Sequence, residues 1–101
     1  MSPLRFHPEA RIEARSAMAW YRARSREVAR GFVAVIDEGI RAIRERPEAW
    51  STWRGCDDVR RRILPRFPYS IVYVIEDAAI VVVALAHHKR RPGYWVPRIG
   101  Q

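Results

Sequence analysis

The 101-residue sequence predicts an α+β fold, a two-layer βααβββ arrangement in which a helical hairpin packs on an antiparallel sheet. Three observations carry this reading. Two segments with the 3- and 4-residue spacing of a helical face follow one another between residues 8 and 46. Three runs rich in β-branched and aromatic residues come next, between residues 59 and 87. The connections between those runs have hairpin length, too short for the crossover helices that a parallel sheet requires.

In chain order, Pro3–Phe6 reads as an edge strand. Pro8 suits the first turn of a helix, where its fixed φ is helical and its missing N–H costs nothing. Ala10, Ala14, Ala17, Met18 and Tyr21 then make a face of mostly small residues, with Arg11, Glu13, Arg15 and Arg22 placed elsewhere around the helix. Ser25 is positioned to cap a second helix, in which Val28, Phe32, Val35, Ile36, Gly39, Ile40 and Ile43 repeat at helical spacing up to a stop at Pro47. So short a connection folds the two helices back on each other. Residues 48–56 hold Trp50, Trp53 and Gly55 without a period and read as a loop pinned by its aromatic side chains. Val59–Leu64 reads as a strand, and Pro65 and Pro68 bracket a tight connection. Tyr69–Glu76 alternates, with Tyr69, Ile71, Tyr73 and Ile75 on one face and Ser70, Val72 and Val74 on the other. Glu76 and Asp77 read as a turn, and the apolar run Ala79–His87 as the central strand of the sheet.

Length and composition place residues 1–101 in a single domain, and a hydrophobic fraction of 49% excludes a disordered basic tail. Cys56 is the one cysteine, so neither an internal disulfide nor a multi-cysteine zinc site is expected. The first fifteen residues lack the apolar stretch of a secretory signal, and the longest apolar run, Ala78–Ala86, is too short to cross a bilayer as a helix. A cytoplasmic protein without a membrane span is the expectation. Lys plus Arg number 19 against 11 Asp plus Glu, a formal charge of +8, and arginine outnumbers lysine 18 to 1. With a sequence pI near 11.0, the partners expected are polyanions or acidic protein segments.

Two stretches carry chemistry. In the strand around Arg60, Arg61 and Arg62, alternation separates Arg61 from the other two, and whichever side the helices leave uncovered would present guanidinium forks suited to phosphates or carboxylates. A solvated edge strand whose charges block aggregation explains the same residues. The second stretch runs from His87 through His88, Lys89, Arg90 and Arg91 to Tyr94 and Trp95. Histidine moves protons near neutral pH, lysine and arginine stabilise developing phosphate charge, and the aromatic rings stack on bases, which are the parts of a metal-free ribonuclease. Adjacent histidines on a strand point opposite ways and no third ligand is evident, so no metal and no cofactor is expected. Trp95 with Pro97 reads equally well as a lid on the core.

Arg60-Arg61, then Arg66-Phe67-Pro68-Tyr69 with Ile71 and Tyr73, then Ala84 to His87 and Arg90-Arg91-Pro92-Gly93-Tyr94-Trp95 with Arg98, resemble the RelE/ParE toxins of type II toxin–antitoxin systems. Ala17 with Trp20-Tyr21, and Ile43 with Pro47, extend the resemblance into the helical half. The resemblance implies a small cytoplasmic toxin of βααβββ fold, bound in a hetero-oligomeric complex by a cognate antitoxin that neutralises it. The family divides by target: RelE-like members cut messenger RNA in the ribosome, and ParE-like members inhibit DNA gyrase by binding. For the nuclease branch the implied catalytic candidates are Arg61, His87, His88, Lys89, Arg90 and Tyr94. Ser70, however, stands where that branch often has an arginine, and its late arginine falls near His88 or Lys89 here. Phe67-Pro68-Tyr69 and Pro92-Gly93-Tyr94-Trp95 are more similar to the ParE-like, plasmid-stabilisation branch. On that reading Arg60, Arg62, Arg66, Arg91, Trp95 and Arg98 would contact target or antitoxin. The expectation is therefore a ParE-like toxin, the alternatives being a RelE-like mRNA endoribonuclease and a basic module that only binds nucleic acid.

Overall fold

The computed structural model describes residues 1–100. Strand β1 (Leu4–Phe6) leads into helices α1 (Pro8–Arg24) and α2 (Arg26–Glu45), followed by β2 (Thr52–Trp53), β3 (Cys56–Ile63), β4 (Tyr69–Glu76) and β5 (Ala79–His87). A 3₁₀ turn at Val96–Arg98 follows. The strands form one sheet in the order β1-β5-β4-β3-β2, antiparallel except where β1 runs parallel to β5.

One residue joins the helices. Ser25 closes α1 by donating its backbone N–H to the Tyr21 carbonyl, and its hydroxyl accepts the Val28 N–H to start α2, so a single extended residue satisfies both ends. At the other end of α1, His7 Nδ1 accepts the Glu9 N–H, while the His7 N–H donates to the Val82 carbonyl and ties the helix start to β5. Phe32, Val35, Ile36, Gly39 and Ile43 bury the α2 face as the spacing predicts. Val28 does not join them and is 43% exposed, its neighbour Ala29 being buried in its place.

Two apolar layers result, one on each face of the sheet. Toward the helices, Ile71, Tyr73, Ile80, Val82 and Leu85 meet Ala10, Ala17, Phe32 and Ile43. On the opposite face Val59, Val72, Val74, Val81, Val83 and Ala84 pack beneath Trp95. An irregularity in the β4–β5 register, between Val72 and Tyr73, lets the consecutive residues Val83 and Ala84 both join the second layer.

The structure corrects four sequence expectations. The span 48–56 contains strand β2, joined to β3 by a two-residue turn at Arg54 and Gly55; both have positive φ (48° and 71°), matching the twist of a tight hairpin. Strand β3 accordingly begins at Cys56 rather than Val59 and ends at Ile63. The β4–β5 turn is centred on Asp77 and Ala78, both at positive φ, because Glu76 is still paired with Ala79. The apolar run β5 is not central: β4 takes the middle of the order, and β1 covers β5 only over Ile80–Val82. Burial on both faces, rather than central position, explains its composition.

At Gly39, α2 packs against core side chains with no room for a side chain of its own. A Cβ there would lie 3.0 Å from Ile71 Cδ1 and 3.1 Å from Leu64 Cδ2, both buried core side chains. Gly39→Val is therefore expected to destabilise by about 1–3 kcal/mol through overpacking, outweighing a few tenths gained in helix propensity. Thermal denaturation followed by circular dichroism checks this; an unchanged Tm would mean the helix lifts off the sheet at no cost.

Candidate functional site

The strand alternation that builds the two apolar layers also sorts the arginines. Val59 belongs to the layer away from the helices, so Arg61 emerges on that side, opposite Val72 of β4. Arg60 and Arg62 emerge on the helix side. There Arg60 Nη1 donates to the carbonyls of Glu48 and Trp50 at 3.0 and 2.8 Å, and the Arg62 guanidinium stacks on the Trp50 ring at 4.3 Å. The expected arginine surface is thus divided: Arg60 and Arg62 pin the 46–51 connection, and only Arg61 remains on the face opposite the helices.

On that face a cleft of about 220 Å³ opens between β3–β5 and the segment that follows β5. Arg61, Ser70 and Ala86 lie on its sheet side, His88, Arg90 and Arg91 at its rim, and Trp53, Tyr94 and Trp95 along its far wall. No Asp or Glu lines it. Among the described residues Arg61 makes no ion pair, since both ion pairs formed there end on Glu13.

His87 and His88 are separated as strand alternation requires. The His87 ring lies edge-on to Tyr69 at 4.9 Å on the helix side, its Nδ1 accepting the Lys89 N–H at 3.0 Å. His88 turns to the cleft, its Nε2 3.0 Å from the buried Ser70 hydroxyl. Ser70, the departure from the nuclease pattern, is therefore the residue that holds His88. Lys89 is exposed in the turn after β5, and Arg66, at positive φ in the β3–β4 connection, is exposed beside Phe67. Trp95 is 3% exposed, so its indole supports the cleft from beneath rather than standing on the surface.

Tyr94 is the most constrained candidate. Its hydroxyl donates to Glu13 Oε2 at 2.6 Å, and the Arg90 guanidinium covers its ring at 3.9 Å. Burial pushes its pKa well above the ordinary tyrosine value, the hydrogen bond to Glu13 and the charge on that carboxylate add to the rise, and Arg90 and Arg98 oppose it. Arg98 is held through two hydrogen bonds to Glu13, at 3.0 and 3.1 Å, and one to the Val83 carbonyl at 2.9 Å.

Glu13 is the site residue that sequence reasoning missed. The sequence reading set Glu13 apart from the small-residue face, and the structure corrects this: three residues after Ala10 and four before Ala17, its carboxylate lies on the inward face of α1, bound to Leu85, Tyr94 and Arg98. Among the described residues no group of three His, Cys, Asp or Glu side chains is arranged to hold a metal ion, and no helix is long and apolar enough to cross a membrane.

Residues 4–92 match the family described as the ParE toxin of the type II toxin–antitoxin system, parDE. The chain belongs to the ParE toxin family. A solved structure entitled "Chromosomal ParDE TA system from P. aeruginosa" has the same fold as this toxin, with a TM-score of 0.73 at 18% sequence identity, over 86% of this chain and 96% of that one. A search of the curated proteins found no match. The two helices on a mostly antiparallel five-stranded sheet are thus a ParE-like toxin architecture, as the βααβββ pattern and the residues from Arg60 to Arg98 implied.

Proposed function

We propose that this toxin arrests growth in the cytoplasm by binding an essential macromolecular target, DNA gyrase, and that a cognate antitoxin neutralises it in a hetero-oligomeric complex. One observation favours binding over RNA cleavage: the groups that would move protons are already engaged within the molecule. The Tyr94 hydroxyl is bound to Glu13 and His88 to Ser70, and His87, which also borders the cleft, has its ring against Tyr69 and its Nδ1 accepting the Lys89 N–H. A tyrosine held well above its ordinary pKa is a poor general base at neutral pH. What remains in the cleft is a set of guanidinium groups without carboxylates, and such a surface attracts and orients an acidic partner.

Within this reading Arg61 and Arg91 contact the target or the antitoxin, and Arg66 extends the cationic surface past the β3–β4 turn. Purified toxin added to a gyrase supercoiling reaction should abolish the supercoiled product. Added to a translating extract, it should leave messenger RNA intact. Fragmented messenger RNA with normal supercoiling would replace this proposal with the endoribonuclease alternative.

Arg61→Ala is expected to raise the toxin concentration needed for half-inhibition about tenfold, the equivalent of one lost charged hydrogen bond of about 1.5 kcal/mol. Stability should change by less than about 0.5 kcal/mol, because the side chain is exposed and unpaired. Equal inhibition by wild type and variant, measured in the supercoiling assay, would remove Arg61 from the contact surface.

A further inference from the structure

Beyond Val82, β5 has no strand neighbour on its outer side, because β1 ends at Phe6. Two side chains take that neighbour's place. Glu13 Oε1 accepts the Leu85 N–H at 3.1 Å, and Arg98 Nη1 donates to the Val83 carbonyl at 2.9 Å. The same carboxylate takes the Tyr94 hydroxyl and both terminal nitrogens of Arg98, with Arg90 at 4.0 Å. One carboxylate on α1 thereby joins the sheet edge to three residues of the segment that walls the cleft.

That segment has no strand pairing of its own, and besides these bonds it is held by Trp95 beneath it, with Tyr94 and Ile99 packed against the same layer. We propose that Glu13 is the positioning residue of the cleft: by binding Tyr94 and Arg98 while seated on the β5 edge, it fixes the wall that Tyr94 and Trp95 form and the rim that Arg90 and Arg91 add to it. This assignment rests on the target-binding reading in one respect, that a correctly placed wall is what the target meets.

The sign of the effect separates positioning from simple charge. Glu13→Gln raises the formal charge from +8 to +9, and a carboxylate that merely sat near the cleft would, once removed, strengthen attraction for an acidic partner. A positioning carboxylate does the reverse, and its loss weakens inhibition although the cleft has become more cationic.

The experiment compares wild type, Glu13→Gln and Arg98→Gln, the last releasing the same anchor from its other end should the first variant fold poorly. Amide exchange of residues 90–98 is expected to accelerate about tenfold or more on loss of a charge-assisted pair, with β4 and α2 unchanged. Tyr94 ionisation in Glu13→Gln, followed by ring-carbon NMR, should fall back toward the ordinary value near 10. Gyrase inhibition should weaken about tenfold in both variants. Unchanged exchange at 90–98 in both variants overturns the assignment, and so does faster exchange with equal or stronger inhibition. If wild-type toxin leaves gyrase untouched, the target reading falls by itself, and exchange and the Tyr94 titration still decide whether Glu13 holds the wall.

Discussion

Phe32→Ala is expected to destabilise the fold by about 3–5 kcal/mol, the largest global effect of any single substitution considered for this toxin. Phe32 is fully buried, and its ring meets those of Tyr21 at 4.8 Å, Phe67 at 5.0 Å and Tyr69 at 5.4 Å in tilted or edge-on geometry. These partners come from α1, the β3–β4 connection and β4, so one side chain of α2 holds three separate parts of the molecule. Truncation loses the transfer free energy of the ring and the aromatic pair contributions of about 0.5–1.5 kcal/mol each. It also leaves a cavity whose walls belong to elements that cannot collapse together. Against a total stability of about 5–15 kcal/mol for a domain of this size, the loss removes about a fifth or more. At about 4–8 °C per kcal/mol, Tm should fall by more than about 12 °C. Urea denaturation should show a lower midpoint with the slope preserved, and Phe32→Leu, which refills part of the volume, should fall between. A loss below about 1 kcal/mol would mean that the helical hairpin is not keyed to the sheet through this cluster.

The fold was legible where burial is periodic. Phe32, Val35, Ile36, Gly39 and Ile43 repeat at the helical interval because α2 has one face on the sheet, and β4 alternates because its two faces meet different layers. Strand β2 was not legible, since two residues are too few to show a period and its pairing depends on the positive φ of Arg54. The site was legible only in composition. Alternation separates Arg61 from Arg60 and Arg62, but which side the helices cover is a tertiary fact, and it decides that Arg61 faces the cleft while its neighbours bind the carbonyls and ring of the 46–51 connection. The role of Glu13 depends on contacts reaching 72 to 85 residues along the chain, from α1 to β5 and beyond, and no local pattern reports such pairing. Its spacing from Ala10 and Ala17 was the one available sign, and the sequence reading set it apart from their face.

Trp95→Ala is expected to separate the toxin's cleft from its fold. The indole is buried against Val72, Val74, Val81 and Val83 and meets Trp53 edge-on at 4.9 Å, forming the centre of the layer on the sheet face away from the helices. Removing a buried tryptophan costs about 3–5 kcal/mol, but here the cost falls on docking of the segment after β5 rather than on the helix-side core. At about 1.4 kcal/mol per decade, the detached population should rise by about two to three and a half decades. Amide exchange should accelerate by that factor over residues 90–98 and trypsin should cut after Arg90 and Arg98, the Arg91–Pro92 bond being resistant, while α2 and β4 keep their protection. Gyrase inhibition should be lost even though the helical hairpin stays packed, because the wall facing Arg61 is gone. The Tm should fall less than in Phe32→Ala, since detachment limits how much of the cost the rest of the chain can feel. Were protection instead lost uniformly, the two apolar layers would form one cooperative unit, and the C-terminal segment would be part of the toxin's folding core rather than a separately docked wall.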